Sequence, residues 1–162
     1  MEETLMELRI DERTWEGGGE SRKLEWQAAI RELVDPIESR YREGIEQLLV
    51  TMSEQGFQLT AQLIDEDALI IDIRHDQLET LIHEYVDTVR QIARADLSGG
   101  VLRLEALDMA KKVTHDKAGR FLERRCRPLA LDHPTARRMF TLLLAMRIDT
   151  TRLVGVHGHR RI

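Results

Sequence analysis

Two stretches near the middle of the chain alternate apolar and polar residues with a period of two. They cover residues 57–63 and 69–73, and the turn-forming Asp65-Glu66-Asp67 lies between them. This alternation is typical of strands with one buried face, so residues 57–74 predict a β-hairpin. Residues 6–10 alternate in the same way. Because two strands alone are marginally stable, we expect this N-terminal strand to complete a small antiparallel sheet.

Most of the remaining chain shows helical spacing. The strongest helix pattern consists of Leu78, Leu81, Ile82, Tyr85, Val89 and Ile92, and Ser98-Gly99-Gly100 ends it. Apolar residues between 37 and 52 predict another helix, with Gly56 following as a C-cap. A further helix carries an apolar set made of Leu102, Ala106, Met109 and Val113. We expect a break at residues 114–116 and a short helix beyond it.

The last predicted helix begins at Asp132-His133-Pro134, since proline is tolerated in a first helical turn. Residues 139–146 are apolar almost all round, which places this helix either at the centre of the core or against a partner. Residues 150–162 lack periodicity and predict a flexible tail. The chain is therefore expected to form a single α+β domain over residues 1–149, in which the small sheet packs against five or six helices.

Composition narrows the class of protein. Of the 162 residues, 42% are apolar but only 4% are aromatic, so the core must be mainly aliphatic. The single cysteine favours a reducing compartment, and neither a leader sequence nor a membrane-spanning run is visible. We therefore expect a cytoplasmic protein. Cys126 lies among arginines, and is either an activated thiolate or a small residue on a helix.

The charges are unevenly distributed. Residues 111–162 hold 13 Lys and Arg against 4 Asp and Glu, a net charge of +9, whereas residues 1–110 hold 11 against 25, a net charge of −14. A basic segment can bind an anionic partner such as nucleic acid. It can equally pack against the acidic segment, within one chain or in a dimer. Aromatic residues for stacking bases are nearly absent, so nucleic acid is not the favoured partner.

Common catalytic motifs are missing, and no cofactor is predicted. His157-Gly158-His159 supplies too few ligands for a metal site. One helix face carries Glu105, Asp108, Lys112 and His115 within about a quarter-turn. A carboxylate and an imidazole on one face can act as an acid/base pair or bind a metal. Alternatively, Asp108 and Lys112 form an ordinary helical ion pair.

Four blocks of residues occur in a recognisable order: Ile71-Asp72-Ile73-Arg74, Glu105-Ala106-Leu107-Asp108-Met109, His115 and Thr135-Ala136-Arg137-Arg138-Met139-Phe140-Thr141-Leu142. This order resembles the uncharacterised protein family 0262 of alphaproteobacteria, and the resemblance covers residues 57–148. The resemblance implies a small cytoplasmic bacterial protein, and it implies no particular activity. It also directs attention to the residues of these blocks as candidates for a shared ligand-binding site: Glu105, Asp108, His115, Arg137 and Arg138.

Three hypotheses follow. The favoured one is a non-enzymatic binding or adaptor protein that acts through protein–protein contacts as a homodimer. The second is a small enzyme or ligand-binding domain for a phosphorylated or carboxylated compound. Asp108 and His115 would be acid/base groups or metal ligands, and Arg137 and Arg138 would bind the anion. The third is association with nucleic acid through the basic C-terminal third.

Overall fold

A computed structural model describes residues 6–98 and 100–155 of the chain. These residues form a four-stranded sheet and six α-helices, which confirms the α+β class. The strands are β1 (Glu7–Ile10), β2 (Ile45–Met52), β3 (Gly56–Leu63) and β4 (Glu66–Arg74). The helices are α1 (Glu12–Glu16), α2 (Glu20–Val34), α3 (His75–Ser98), α4 (Val101–Arg125), α5 (His133–Arg147) and α6 (Thr150–Gly155), with a short 3-10 helix at Arg127–Leu129.

The strands follow each other in the order β1-β2-β3-β4. The predicted hairpin is confirmed, because β3 and β4 pair antiparallel with Phe57 opposite Ile73 and Leu59 opposite Ile71. The predicted N-terminal strand also forms, but it pairs parallel with β2, so the expectation of an all-antiparallel sheet is wrong. The chain passes through α2 between these two strands, and a helical crossover returns it in the same direction.

The helix predicted over residues 37–52 is wrong, because residues 45–52 form β2. A register shift between Ile45 and Gln47 interrupts the pairing of β2 with β3. As a result Ile45 and Leu48, three positions apart, are both buried, and normal alternation resumes with Val50. The extra residue therefore gives this strand a spacing close to that of a helix.

Helix α5 occupies the centre of the hydrophobic core. Nine of its 15 residues are buried, and it packs against both α2 and α4. The indole nitrogen of Trp26 donates a hydrogen bond to the carbonyl of Ala145, and the Arg22 guanidinium binds the same carbonyl. Of the two alternatives left open by the apolar pattern of this helix, the position at the centre of the core accounts for it.

Helices α3 and α4 form a long antiparallel hairpin. The predicted break after residue 98 is confirmed, since α3 ends at Ser98 and α4 begins at Val101. The break predicted at residues 114–116 is wrong, because α4 continues without interruption to Arg125. Helix α6 covers Thr150–Gly155 of the predicted tail, and His157-Gly158-His159 lies outside the described residues.

Candidate functional site

The interface between α4 and α5 brings together two of the five predicted site residues. A terminal guanidinium nitrogen of Arg137 on α5 lies 3.4 Å from Nδ1 of His115 on α4. The other ring nitrogen, Nε2, lies 3.0 Å from the carbonyl oxygen of Arg137 and 3.1 Å from Oγ1 of Thr141. A carbonyl only accepts, so Nε2 carries the proton and Nδ1 accepts from the guanidinium.

The surroundings of His115 keep its imidazole neutral. Burial is the main reason that the pKa of His115 lies below the usual value for histidine, and the Arg137 and Lys111 cations add to this effect. The rings of Tyr85 and Phe140 lie beside it, with centroids 5.9 and 5.7 Å from that of the imidazole. Because both ring nitrogens are engaged inside the protein, His115 has no nitrogen free to exchange a proton with a substrate.

A second group of charged side chains lies beside this pair, and we call it the α4–α5 clamp. It consists of Asp116 and Glu123 from α4 and of His133 and Arg137 from α5. Nδ1 of His133 lies 2.6 Å from a Glu123 carboxylate oxygen, and Nε2 lies 3.4 Å from Asp116. Nε of Arg137 lies 3.2 Å from the same Asp116 oxygen. The four side chains therefore form a continuous chain of ion pairs and hydrogen bonds between the two helices.

The local sequence explains why the clamp forms. Asp116, Gly119 and Glu123 follow each other at spacings of three and four, so they share one face of α4. Gly119 is buried, and a Cβ atom there would lie 2.8 Å from Cγ of Arg137 and 3.0 Å from Cε1 of His133. The absence of a side chain thus lets both α5 residues reach the acidic groups.

The clamp has a defined electrostatic character. The hydrogen bond from His133 is the main reason that the pKa of Asp116 lies below its usual value, and the Arg137 cation lowers it further. Each of the four side chains is about one-third exposed. One ring nitrogen of His133 is directed at Glu123 and the other at Asp116. Both carboxylates of the clamp are therefore in contact with α5 side chains.

The other three predicted residues lie elsewhere. Arg138 extends to Glu38, where its guanidinium contacts a carboxylate oxygen at 2.9 Å and also the backbone carbonyl. Glu105 and Asp108 are exposed on α4, about 10–15 Å along the helix axis from His115. Within the described residues neither side chain makes a hydrogen bond or an ion pair. The five predicted residues therefore do not converge on one point.

Sequence reasoning missed Asp116, Glu123 and His133. The expected break at residues 114–116 separated Asp116 from Glu123, and His133 was assigned only to the start of the last helix. The spacing of Asp116, Gly119 and Glu123 along one uninterrupted helix is the signal that identifies them.

Cys126 is a buried residue at the C-terminal cap of α4. Burial raises the pKa of its thiol to about 12, and the opposing effect of Arg125 is smaller. The neighbouring Arg125 cation does favour the thiolate, but burial outweighs it and the thiol is not activated. Of the two alternatives, the small helix residue describes this position.

Other kinds of site receive no support from the described part of the chain. No helix there is long and apolar enough to cross a membrane. The His, Cys, Asp and Glu side chains of residues 6–98 and 100–155 form no group of three suited to a metal ion. An open cavity of about 420 Å³ lies at one end of β2, β3 and β4, where Thr51, Gln58 and Asp72 line it. None of the five predicted residues lines this cavity.

Fold and site together describe a small α+β protein in which a charged clamp fastens two core helices. The sequence matches the model of the Uncharacterised protein family (UPF0262) over residues 2–149, so the chain belongs to this family. The match confirms the resemblance and extends it to the N-terminal third. Searches among curated proteins and solved structures find no match.

Proposed function

We propose that this protein is a self-associating binding protein whose interaction surface is the outward face of α4. One observation carries the proposal. Four apolar residues follow each other at spacings of four, three and four, and all four are exposed: Leu102, Ala106, Met109 and Val113. We call them the α4 outer stripe. Leu102 is 82% exposed, Met109 62% and Val113 49%, which is unusual for large apolar side chains that share one helix face.

The stripe has the geometry of a helix–helix seam. Its four residues lie within about 60° of arc, and their alternating spacing is that of the apolar positions in a coiled coil. The opposite side of α4 is already used, since Lys111 lies over the Tyr85 ring on α3. A second helix can therefore pack on the stripe without displacing α3.

The apolar character is confined to one half of α4. On the same face, one turn beyond Val113, the chain continues with Asp116, Arg120 and Glu123. There α5 packs against the helix, through the contacts of His133 and Arg137. The outer stripe lies on the half of the hairpin away from these contacts. An interface on the stripe supports the predicted homodimer better than α5 does, because α5 is covered within its own chain.

The two alternatives fit the geometry less well. An anionic ligand at Arg137 would have to displace Asp116, and both nitrogens of His115 are already engaged. Of the arginines that favour nucleic acid, Arg137 and Arg138 are held in ion pairs with Asp116 and Glu38. The contact of Arg138 with Glu38 supports internal pairing of the basic and acidic segments, and Arg137 is paired within the basic segment itself.

Sedimentation equilibrium tests the proposal. We expect the wild-type protein to sediment at twice its chain mass of 18.8 kDa at micromolar concentration. The double variant Leu102→Glu, Met109→Glu should sediment as a monomer, because two charges per chain would be buried in the seam. Ile37→Glu is the matched control, since Ile37 is 84% exposed and lies between α2 and β2, away from the stripe.

A monomeric wild-type protein would contradict the proposal, as would a double variant that remains a dimer. Circular dichroism of all three proteins should show the same helix content, since both substituted side chains are exposed in the single chain. A loss of helix content in the double variant alone would show that its monomeric state results from misfolding. The single variant Met109→Gln then tests the proposal in its place, because it should weaken the dimer without adding charge.

A further inference from the structure

We infer that the α4 outer stripe binds the same stripe of a second copy, with the two α4 helices antiparallel. This inference rests on the proposed function and specifies its partner. The two α4 helices would lie side by side in the dimer, and each would keep its own α3 on the side away from the seam. Three properties of α4 carry the inference: the order of its apolar residues, the charges at the borders of the stripe, and the lack of partners for those charges.

The apolar residues match each other when the helix is reversed. In an antiparallel pair, Leu102 packs opposite Val113 of the second copy, and Ala106 packs opposite Met109 of the second copy. Both layers form in the same register, because Ala106 follows Leu102 by four residues and Met109 precedes Val113 by four residues. Each layer combines a larger side chain with a smaller one, and the two-fold axis repeats both layers. The stripe is thus self-complementary over its full length.

The charges select the antiparallel orientation. Glu105 and Lys112 lie about 20° apart on one border of the stripe, and Arg103, Ala110 and Lys117 lie on the other border. The two-fold axis of an antiparallel pair brings each border against the same border of the second copy. Glu105 then lies about 3 Å along the axis from Lys112 of the second copy, and this pair forms twice.

A parallel pair would place opposite borders together. Lys112 would then face Lys117 of the second copy, and Glu105 would face Ala110, which carries no charge. Like charges at the edges of a seam oppose association. In the antiparallel pair Arg103 lies about 8 Å along the axis from Lys117 of the second copy, whereas Glu105 and Lys112 lie only about 3 Å apart. The closer pairs of opposite charge therefore favour the antiparallel arrangement.

Glu105 and Lys112 are free to form these pairs. Both are exposed, and within the described residues neither makes an ion pair or a side-chain hydrogen bond. By contrast Lys117, at the opposite border, already lies 3.9 Å from a Glu84 carboxylate oxygen. Glu105 thus gains a role at an interface, in place of the one predicted for it in a ligand site.

A charge-reversal series measures the dimer dissociation constant by sedimentation equilibrium at low salt. Glu105→Lys and Lys112→Glu should each weaken the dimer about tenfold, because each places two like-charge pairs across the interface. The doubly reversed protein should return to within about twofold of wild type. An equal mixture of the two single variants should form heterodimers as tightly as wild type, since both pairs are then of opposite charge. Glu79→Lys, an equal change of charge on an exposed position of α3, should have little effect.

The outcomes separate this inference from the proposed function. If wild type dimerises and Leu102→Glu, Met109→Glu abolishes dimerisation, but the single reversals have no effect, the antiparallel register is wrong and the proposed function stands. A dimer that Lys112→Glu tightens would indicate the parallel arrangement and overturn the inference. A monomeric wild-type protein would overturn both. Rescue in the mixture supports the inference, because only contacts between chains produce it.

Discussion

The hydrogen bond between His133 and Glu123 allows a quantitative test of the α4–α5 clamp. The atoms are 2.6 Å apart, which is the range of charge-assisted hydrogen bonds. Such bonds contribute about 1.5–3 kcal/mol when buried, whereas exposed ion pairs contribute about 0–1 kcal/mol. Both side chains are about one-third exposed, so we expect a coupling free energy of about 1 kcal/mol. His133→Ala should cost about 2 kcal/mol in total, because it also removes the contact with Asp116.

Urea unfolding at neutral pH measures this coupling in a double-mutant cycle of His133→Ala and Glu123→Ala. Glu84→Ala is the control, since its pair with Lys117 is longer and more exposed and should contribute less than about 0.5 kcal/mol. All variants should keep the self-association of wild type, because the clamp lies off the α4 outer stripe. A coupling below about 0.3 kcal/mol would refute the description of these residues as a clamp.

Three further predictions concern other parts of the chain. Gly56→Ala should destabilise the protein by about 2–3 kcal/mol in urea unfolding, since its Cβ would lie 2.2 Å from the carbonyl oxygen of Ile73. Gly19→Ala is the control: its Cβ would have nothing within 4 Å, so the free energy of unfolding should fall by only about 0.3 kcal/mol. Asp116 has a lowered folded-state pKa, so its ionised carboxylate stabilises the fold above about pH 4 and this contribution is lost as the pH falls through the folded pKa. Asp116→Asn should therefore flatten the acid side of the stability curve, and an equally steep curve would contradict the assignment. Cys126, whose pKa is raised to about 12, should resist thiol reagents at pH 8 until the protein unfolds; stoichiometric labelling of the native protein would show that it is not buried.

The hairpin and the core helix α5 were predictable because their patterns are local. Residues 57–74 alternate with a period of two on both sides of a turn, and the Asp132-His133-Pro134 start of α5 is a local capping signal. Strand β2 was not predictable in this way. Its bulge buries both Ile45 and Leu48, so the spacing of its apolar residues resembles that of a helix.

The candidate site shows the same division between local and tertiary causes. His115 and Arg137 were identified from helix spacing and family blocks, and the structure brings them together. Gly119 is needed where α5 approaches α4, and that requirement is tertiary. The apolar set from Leu102 to Val113 was also visible in the sequence. Whether it faces the core or the solvent depends on where α3 and α5 pack, which the pattern alone does not specify.

The most direct test of the central claim is a pair of distances between nitroxide labels in the dimer, measured by pulsed electron paramagnetic resonance. Two proteins are labelled separately, one at Ala110→Cys and one at Arg120→Cys, so that each dimer carries the same label on both chains. Cys126 is buried and should not react with the label. An antiparallel α4 seam predicts a separation below about 20 Å for position 110 and of about 40 Å for position 120, from the helical rise and the spacing of packed helices. Similar short distances at both positions would contradict the antiparallel seam, and the absence of dipolar coupling at both would contradict self-association through α4.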